Sequence, residues 1–375
     1  MKIYDVIIVG GGPSGVSTAM FLLKHRPDMK DKILLLEKGT FPREKPCGGG
    51  LTKRTMAIYK ELGVDVLKDG PKTFPVESEV LICDDNVGRK ESAFLVAHRY
   101  ELDKWFSDKA VERGLKIEQG TIVKDVKIDD KTVTVSTNKG DFFSKIIVGA
   151  DGVHSLVRKK VFGDMEDYTH IIKAMEIKTP EDEANQSEFK KRESIFDFGV
   201  IRDGVVGYYW DFPSYVGGKP KMNRGIGESL FVKRKKNKPL NVIFDEELTK
   251  RGINLKDHKL EAWVLRGFHE KTFMNKNRCL LVGDSAGIDP LLGEGIGFAL
   301  GYGKTAAEEI LKALDSNSFD FKDYKKNFLS SEIGQNLRKK TRMARVLSKY
   351  PNLVKHVFKF HFIASMFYKF GKKFF

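Results

Sequence analysis

The chain has little cysteine and proline and no long apolar run. Three cysteines and 12 prolines among 375 residues exclude the disulfide-rich and proline-rich classes of protein. Because Cys47, Cys83 and Cys279 are far apart, they form neither a disulfide framework nor a CxxC metal site, which predicts a reducing compartment and no metal. The longest apolar stretches, such as 362–368, are shorter than the roughly 20 residues of a membrane span, and Met1–Val9 lacks the pattern of a signal peptide. We therefore predict a cytoplasmic protein.

Acidic residues are absent from the last 38 residues. Segment 338–375 carries eleven Lys and Arg, which leaves only +4 of the net charge of +15 for the rest of the chain. Apolar residues recur there at helical spacing from Leu353 to Phe370, which predicts a basic amphipathic helix. Such a helix can hold a protein peripherally on an anionic membrane surface, here the inner face, or pack on the protein body, and both interpretations stay open. No nucleic-acid-binding motif accompanies the charge, so we expect no nucleic-acid partner.

The first 40 residues follow a strand–helix–strand pattern. Tyr4–Val9 is the β-branched run of a buried parallel strand, and the glycine-rich segment Gly10–Gly15 follows it directly. Residues 17–24 favour a helix, and the apolar run 33–36 predicts a second strand that ends at Glu37. Strand, helix and downstream acidic residue together make GxGxxG a specific fingerprint for binding a dinucleotide.

Each glycine of this fingerprint has a physical role. Gly10 permits the tight turn, Gly12 lets a pyrophosphate approach the backbone, and Gly15 lets helix and strand pack closely. Glu37 can bind the ribose hydroxyls. Neighbours predicted to contact the same dinucleotide are Ser14 and Lys38. The fingerprint by itself fits NAD as well as FAD.

Two later strand–turn–helix segments favour FAD. The first contains Gly-Ala-Asp-Gly at 149–152, and the second, 279–297, contains Gly-Asp-Ser-Ala-Gly. Both resemble motifs of the FAD-dependent superfamily that includes para-hydroxybenzoate hydroxylase. The resemblance implies that Asp284 binds ribityl hydroxyls and that the amides of Gly295 and Ile296 stabilise charge on reduced flavin. A helix N-terminus, with its free N–H groups and positive dipole end, suits that task.

Two more positions follow from the same resemblance. Arg99 matches an arginine that approaches the flavin diphosphate or ribityl chain, and Val123 falls on the strand that contacts adenine. No second dinucleotide fingerprint follows residue 40, so we expect no dedicated NAD(P)H domain. The external electron donor, NADPH or ferredoxin, stays open.

A cysteine–glycine loop limits the type of reaction that we expect the protein to catalyse. In Pro46-Cys47-Gly48-Gly49-Gly50 the glycines weaken regular structure and permit very close backbone approach. The loop resembles the PCGG loop of the geranylgeranyl reductase family, where the cysteine lies beside the isoalloxazine. The resemblance implies that Cys47, Gly48 and Gly49 contact the flavin, and we hypothesise that Cys47 is catalytic by relaying or positioning a proton. The alternative for Cys47 is an inert small apolar side chain, our preferred interpretation of the other two cysteines.

A strand rich in aromatic residues is the second sequence feature that indicates the type of reaction. Alternation places Tyr208, Trp210 and Phe212 on one face of a strand, which we expect Pro213 to end. With the Gly-Ile-Gly at 225–227, this segment resembles the Y-x-W-x-F-P…GxG pattern of the same family, whose aromatic wall borders the prenyl substrate. An ordinary sheet core is the alternative interpretation.

The resemblance covers residues 1 to about 320 and implies an α/β fold. We expect a Rossmann-type FAD-binding domain, a β-rich substrate domain and a helical C-terminal region. Their predicted boundaries are 1–75, 95–165 and 273–320 for the first, 76–94 and 166–272 for the second, and 321–375 for the basic C-terminal region. Since every flavin motif lies upstream, truncation before Arg338 is expected to leave FAD binding intact.

The implied function is an FAD-dependent reductase of isolated double bonds in geranylgeranyl or other prenyl chains, of membrane lipids or prenyl diphosphates. The chemistry would be hydride transfer from flavin N5 with protonation of the other alkene carbon. One alternative is a flavin monooxygenase or halogenase, although the W-x-W-x-I-P segment of halogenases is absent. Another is a membrane-docked flavoprotein that carries electrons without transforming a lipid.

Overall fold

The structure is a computed structural model, and it describes residues 2–163, 170–231, 236–350 and 353. The helices in these residues are α1 (Pro13–His25), α2 (Lys53–Glu61), α3 (Val66–Asp69), α4 (Arg99–Glu112), α5 (Leu156–Phe162), α6 (Ser187–Lys191), α7 (Leu240–Thr249), α8 (Ile296–Ser316), α9 (Tyr324–Ser330) and α10 (Glu332–Lys349). The strands are β1 (Ile3–Val9), β2 (Ile33–Glu37), β3 (Gly50–Leu51), β4 (Phe74–Cys83), β5 (Asn86–Val96), β6 (Lys116–Gln119), β7 (Val123–Ile128), β8 (Val133–Thr137), β9 (Gly140–Gly149), β10 (His170–Pro180), β11 (Glu193–Asp197), β12 (Gly207–Val216), β13 (Lys219–Ser229), β14 (Glu261–Gly267), β15 (Asn275–Lys276) and β16 (Cys279–Leu281).

A mostly parallel sheet forms the first half of the architecture. Its strand order is β15-β16-β9-β1-β2-β6, with β8 and β7 added antiparallel beside β9. The residues of β2 are all buried, as expected for an apolar strand that is covered on both faces. The parallel strands β1, β2 and β9 end at Val9, Glu37 and Gly149, so these residues lie at one edge of the sheet. Ligands bind at this edge in doubly wound folds, and the predicted Rossmann-type arrangement is confirmed.

A second, mainly antiparallel sheet has the order β14-β10-β13-β12-β11-β4-β5-β3. Its strands come from residues 50–51, 74–96 and 170–267, while the exact division of the chain into domains stays a prediction. Alternation along β12 sends Tyr209 towards Phe244 of α7, whereas Trp210 and Phe212 belong to a cluster on the other side. The sheet therefore presents an aromatic face, separate from the core under α7.

One detail of the predicted strand is wrong. Pro213 does not end β12, which continues to Val216 and stays paired with β13 as far as Lys219. The pairing of β12 with β11 stops at Asp211, so at Pro213 the strand has a neighbour on one side only. A proline, which lacks an N–H donor, is tolerated where one side of a strand is unpaired.

The C-terminal region is helical as far as the structure describes it. Helix α10 buries Leu337, Thr341, Ala344 and Ser348, a stripe with helical spacing that packs on the protein body. For residues 338–349 the structure thus favours the second interpretation of the basic segment. Of the predicted helix from Leu353 to Phe370, all but Leu353 lies outside the described residues. None of the helices in the described ranges has the length and hydropathy to cross a bilayer.

Candidate active site

A cavity of about 650 Å³ lies between the carboxyl edge of the parallel sheet and the aromatic face of the second sheet. The residues that line it include most of the predicted site: Gly10, Gly12, Ser14, Glu37, Lys38, Cys47, Gly48, Gly49, Arg99, Val123, Tyr208, Trp210, Phe212, Asp284, Gly295 and Ile296. Gly15 is the exception, because it lies beneath the glycine loop and touches its backbone. The cavity has a polar end at the parallel sheet and an apolar end at the aromatic face.

The glycine loop forms the polar end. Gly10 has a φ of +107°, and a Cβ there would lie 2.3 Å from the carbonyl oxygen of Ala150. A Cβ on Gly15 would lie 2.0 Å from the Gly10 carbonyl oxygen, whereas a Cβ on Gly12 would meet nothing within 4 Å. The chain's own packing therefore requires Gly10 and Gly15, while the space beside Gly12 is open to a ligand. Gly12 also caps α1 without a side-chain hydrogen bond, which leaves the helix start available to a phosphate.

Glu37 braces this loop from the end of β2. Its carboxylate is almost fully buried and accepts hydrogen bonds from the backbone N–H of Gly11 at 2.7 Å and of Gly39 at 2.8 Å. The guanidinium of Arg43 approaches the same carboxylate, with Nε 3.4 Å from Oε1. Glu37 thus fixes the loop in addition to any contact with a ribose, a structural role that its position in the sequence did not reveal.

Two predicted residues line the polar end from the α4 and β7 side. Arg99 is buried and donates two hydrogen bonds to Asp103, one turn later on α4, at 2.6 and 2.8 Å. Although burial alone would lower it, this ion pair raises the pKa of Arg99, so the guanidinium stays cationic. Val123 begins β7 and is half-buried. A fixed cation that lines the same cavity as the glycine loop is suited to a diphosphate.

Asp284 lies in the turn after β16, opposite a lysine that the sequence did not single out. No side chain in the described part of the protein donates a hydrogen bond to its carboxylate, and burial raises its pKa. Lys45, in the cysteine–glycine loop, interacts electrostatically with Asp284, and its Nζ lies 3.6 Å from the ring centroid of Trp263. Burial lowers the pKa of Lys45 to about 8, and the nearby charge of Asp284 opposes this shift. A carboxylate without a partner inside a cavity is a group that ligand hydroxyls can satisfy.

A second helix start lines the cavity at α8. The helix begins at Ile296, and Gly295 caps it without a side-chain hydrogen bond. At α8, and likewise at α1, no capping side chain accepts a hydrogen bond from the first N–H groups of the helix. Two such helix starts, the open space at Gly12 and the unpaired carboxylate of Asp284 fit the phosphates, hydroxyls and ring of a flavin dinucleotide.

The cysteine–glycine loop joins the two ends of the cavity. A Cβ on Gly48 would lie 3.1 Å from the ring of Phe212 and 3.5 Å from Nε1 of Trp210, so the loop rests directly on the aromatic face. Asn223 ties the two together, because it donates to the carbonyl oxygen of Cys47 at 3.3 Å and accepts from Trp210 at 2.7 Å. Asn223 was not predicted as a site residue, because its partner Cys47 is 176 residues away in the chain.

Cys47 itself is half-buried and has two neighbours of chemical interest. Its sulfur accepts a hydrogen bond from the N–H of Gly49 at 3.4 Å, and its thiol also interacts with the guanidinium of Arg99. Gly49 has a φ of +77°, and a Cβ there would lie 2.1 Å from the carbonyl oxygen of Ala97, so only glycine fits. By contrast Cys83 and Cys279 are buried in strands away from the cavity.

The aromatic face forms the apolar end. Tyr208 and Trp210 have ring centroids 6.0 Å apart, and Phe196 packs beside Phe212 at 5.0 Å. The hydroxyl of Tyr208 donates to the carbonyl oxygen of Leu292 at 2.6 Å. Because the polar tips of Tyr208 and Trp210 are both paired within the protein, the face offers an apolar surface to a ligand.

The chain is similar in sequence to several known proteins. The model of the FAD binding domain family matches residues 3–302. The digeranylgeranylglycerophospholipid reductase of Thermoplasma volcanium is 27% identical over 343 residues, which cover 85% of this chain and 81% of that protein. The menaquinone reductase of Mycobacterium tuberculosis is 26% identical over 357 residues, which cover 81% of this chain and 76% of that protein.

Solved structures share the fold. A geranylgeranyl bacteriochlorophyll reductase-like protein from Thermoplasma acidophilum aligns with a TM-score of 0.71 and 23% identity, over 93% of this chain and 87% of that one. A halogenase in complex with FAD aligns with a TM-score of 0.67 and 16% identity, over 87% and 73% of the two chains. At these identities the likeness concerns the fold alone.

Proposed function

The chain belongs to the FAD binding domain family, and from this premise we propose that it is a reductase that saturates isolated double bonds of geranylgeranyl or other prenyl chains. It is an FAD-dependent oxidoreductase. The observation that carries the proposal is the position of the cysteine–glycine loop. Its residues Cys47–Gly49 contact both the polar end of the cavity and the aromatic face. The names of the relatives support it, because digeranylgeranylglycerophospholipids and menaquinones both carry prenyl chains.

The residues of the polar end would hold the cofactor. When bound, FAD supplies the two electrons and one of the two hydrogens that saturate an alkene. The start of α1 at Gly12 and the guanidinium of Arg99 suit the diphosphate, and Asp284 suits the ribityl hydroxyls. The start of α8 would stabilise negative charge on the ring.

The aromatic face would orient the substrate. An elongated hydrocarbon gains about 25 cal/mol for each Å² of apolar surface that it buries, and the paired polar tips of Tyr208 and Trp210 add no polar group that must be desolvated. We propose that Tyr208, Trp210 and Phe212 hold the prenyl chain, in a membrane lipid or a prenyl diphosphate.

The remaining hydrogen must arrive as a proton, and two groups beside the loop can hold one. The thiol of Cys47 holds it at Sγ, next to Arg99, and Lys45 holds it at Nζ with a pKa of about 8. We propose that Cys47 relays or positions the proton and that Lys45 is a second donor in reach of the cavity. Solvent would return the proton to either group after each turnover.

Mass spectrometry of a prenyl lipid incubated with the reduced, FAD-loaded protein tests the proposal. We expect a gain of two hydrogens per double bond and a sharp loss of turnover in Cys47→Ala with FAD still bound. Cys83→Ala is the matched control, since Cys83 is buried at the end of β4. A product that gains an oxygen with uptake of O₂ would establish the monooxygenase alternative, and reoxidation of the flavin without any lipid product the electron carrier. NADPH and ferredoxin are compared as electron donors in the same assay.

We also propose that the outer face of α10 contacts an anionic membrane surface. Met343, Val346 and Tyr350 recur at helical spacing and are 45–52% exposed, with Arg342 and Arg345 beside them. Because nothing acidic lies in α10 after Glu332, electrostatic attraction and apolar insertion act together.

Sedimentation with vesicles that contain anionic lipid tests this contact. We expect Met343→Glu/Val346→Glu to reduce binding markedly and Leu67→Glu, an exposed leucine on α3, to leave it unchanged. Equal sedimentation of all three proteins would contradict membrane docking through α10.

A further inference from the structure

A lysine from the C-terminal helix reaches the turn that precedes α8. Lys340, on α10, places its Nζ 2.5 Å from Oδ2 of Asp289, and the Asp289 side chain has no exposed surface. The two residues are 51 positions apart in the chain. Lys340 also lines the cavity. A residue of the basic C-terminal segment thus provides the counter-ion of a fully buried carboxylate beside the predicted flavin ring.

Asp289 organises the turn. Its Oδ1 accepts a hydrogen bond from the N–H of Leu291 at 2.8 Å, and its Oδ2 accepts one from the N–H of Glu294 at 3.4 Å. The next residue, Gly295, is the N-cap of α8. The position of the first N–H groups of α8 therefore depends on a turn that the Asp289 carboxylate helps to hold.

Glu294 provides a second attachment for the same turn. Arg54 contacts both of its carboxylate oxygens at 2.8 Å, and the hydroxyl of Thr52 donates to Oε1 at 2.8 Å. Lys340 approaches Oε2 at 3.5 Å, so its ammonium group is shared by the two carboxylates of the turn. On the other side α10 is fixed to the body by the hydroxyl of Thr341, which donates to the carbonyl oxygen of Phe268 at 3.1 Å.

We propose that Lys340 is a positioning residue for the flavin, because it holds the Asp289–Glu294 turn and thereby the Gly295 and Ile296 amides at the cavity. A buried carboxylate that loses its counter-ion seeks water or protonation, and either event moves the turn. The basic C-terminal segment then completes the cofactor site. Truncation before Arg338, which the sequence motifs alone suggest is harmless, should weaken FAD binding.

The test compares Lys340→Met, Lys340→Arg and Lys339→Met as purified full-length proteins, since Lys339 is exposed on the same helix. FAD affinity is measured by titration of the FAD-free protein, and the midpoint potential of the bound flavin by spectroelectrochemistry. We expect Lys340→Met to bind FAD about tenfold more weakly, or by about 1.4 kcal/mol, and to have a lower potential. Lys340→Arg should retain most of the FAD affinity and most of the midpoint potential, and Lys339→Met should match the unmodified protein in both.

Asp289→Asn separates positioning from simple charge. The substitution removes a negative charge near the flavin, which by itself would raise the midpoint potential, but it also breaks the contact with Lys340. Positioning predicts that the potential falls in Asp289→Asn, as in Lys340→Met. Potentials that move in opposite directions in these two variants, or FAD affinity and potential unchanged in Lys340→Met, would overturn the proposal. If Lys340→Met does not fold, Asp289→Asn and Lys340→Gln are judged by the same criteria.

Discussion

Two helices begin at the same cavity, and they are held there in different ways. The start of α1 is fixed largely by the glycine fingerprint itself, with Gly15 packed on Gly10 and Glu37 hydrogen-bonded to the N–H of Gly11, although Gly10 also packs on the distant Ala150. The start of α8 depends on Lys340 and Arg54, which come from distant segments of the chain. One cofactor site thus combines a part held mainly by a glycine motif that is visible in the sequence with a part held by side chains that only the folded chain brings together.

The two parts also differ in the kind of interaction. At α1 the decisive contacts are between backbone atoms, where one added methyl group has no room. At α8 they are ion pairs and hydrogen bonds between side chains, which substitution can remove while the backbone stays intact. Steric contacts tolerate little adjustment, whereas a charged contact can be weakened in steps.

The largest effect is expected at the α1 end, where two glycines can be compared directly. Gly15→Ala places a Cβ against the Gly10 carbonyl oxygen, so we expect the free energy of unfolding to fall by about 3 kcal/mol or more. Gly12→Ala meets no protein atom within 4 Å and should change it by less than about 1 kcal/mol. Gly12→Ala should nevertheless weaken FAD binding by more than about tenfold, because its methyl group occupies the open side of the loop.

Chemical denaturation of both FAD-free variants and FAD titration of Gly12→Ala provide the measurements. If Gly12→Ala binds FAD as tightly as the unmodified protein, the open side of the loop does not receive the diphosphate. If Gly15→Ala is as stable as Gly12→Ala, the contrast between a structural and a binding glycine fails.

The features that could be predicted from the sequence are those whose determinants are local. The helix predicted over residues 17–24 lies within α1, which begins earlier, at Pro13, and the predicted strand that ends at Glu37 is β2. The alternation of β12 is likewise a property of neighbouring residues. Its end was predicted wrongly at Pro213, because the effect of a proline depends on whether a second strand pairs at that point.

The rest of the site could not be predicted for a related reason. Lys340, Asn223 and Lys45 acquire their roles from partners that only the tertiary structure brings near. In the sequence, Lys340 is one of eleven basic residues in a segment that suggests membrane binding, and nothing distinguishes it from Lys339. The roles predicted for the cofactor and substrate residues rest on local sequence motifs, and they stay predictions.

The smallest effect is expected at Lys45, in the loop that joins the polar and apolar ends of the cavity. Its pKa of about 8 in the folded protein lies below the ordinary 10.5, so between these values the folded protein binds fewer protons than the unfolded chain. Stability therefore rises with pH in this window, and below about pH 8 the buried ammonium imposes a constant cost. We expect Lys45→Met to raise the free energy of unfolding of the FAD-free protein at pH 7 by about 1–3 kcal/mol, after the lost cation–π contact with Trp263 is counted.

That gain in the free energy of unfolding should decrease as the pH rises from 8 to 10.5, because Lys45 of the unmodified folded protein then loses its proton and no buried charge destabilises it. Denaturation curves at several pH values measure the difference, with Lys339→Met as a control whose effect should be small throughout, since Lys339 is exposed. A destabilised Lys45→Met would mean that Asp284 stabilises the Lys45 charge more than burial disfavours it, and a gain independent of pH would mean that the gain does not come from the charge of Lys45. With FAD bound the gain should be smaller, because Lys45 lines the cavity, its positive charge attracts the anionic FAD, and Lys45→Met therefore binds FAD less tightly. Lys45 would then be a residue whose charge costs folding free energy and is retained for the cofactor.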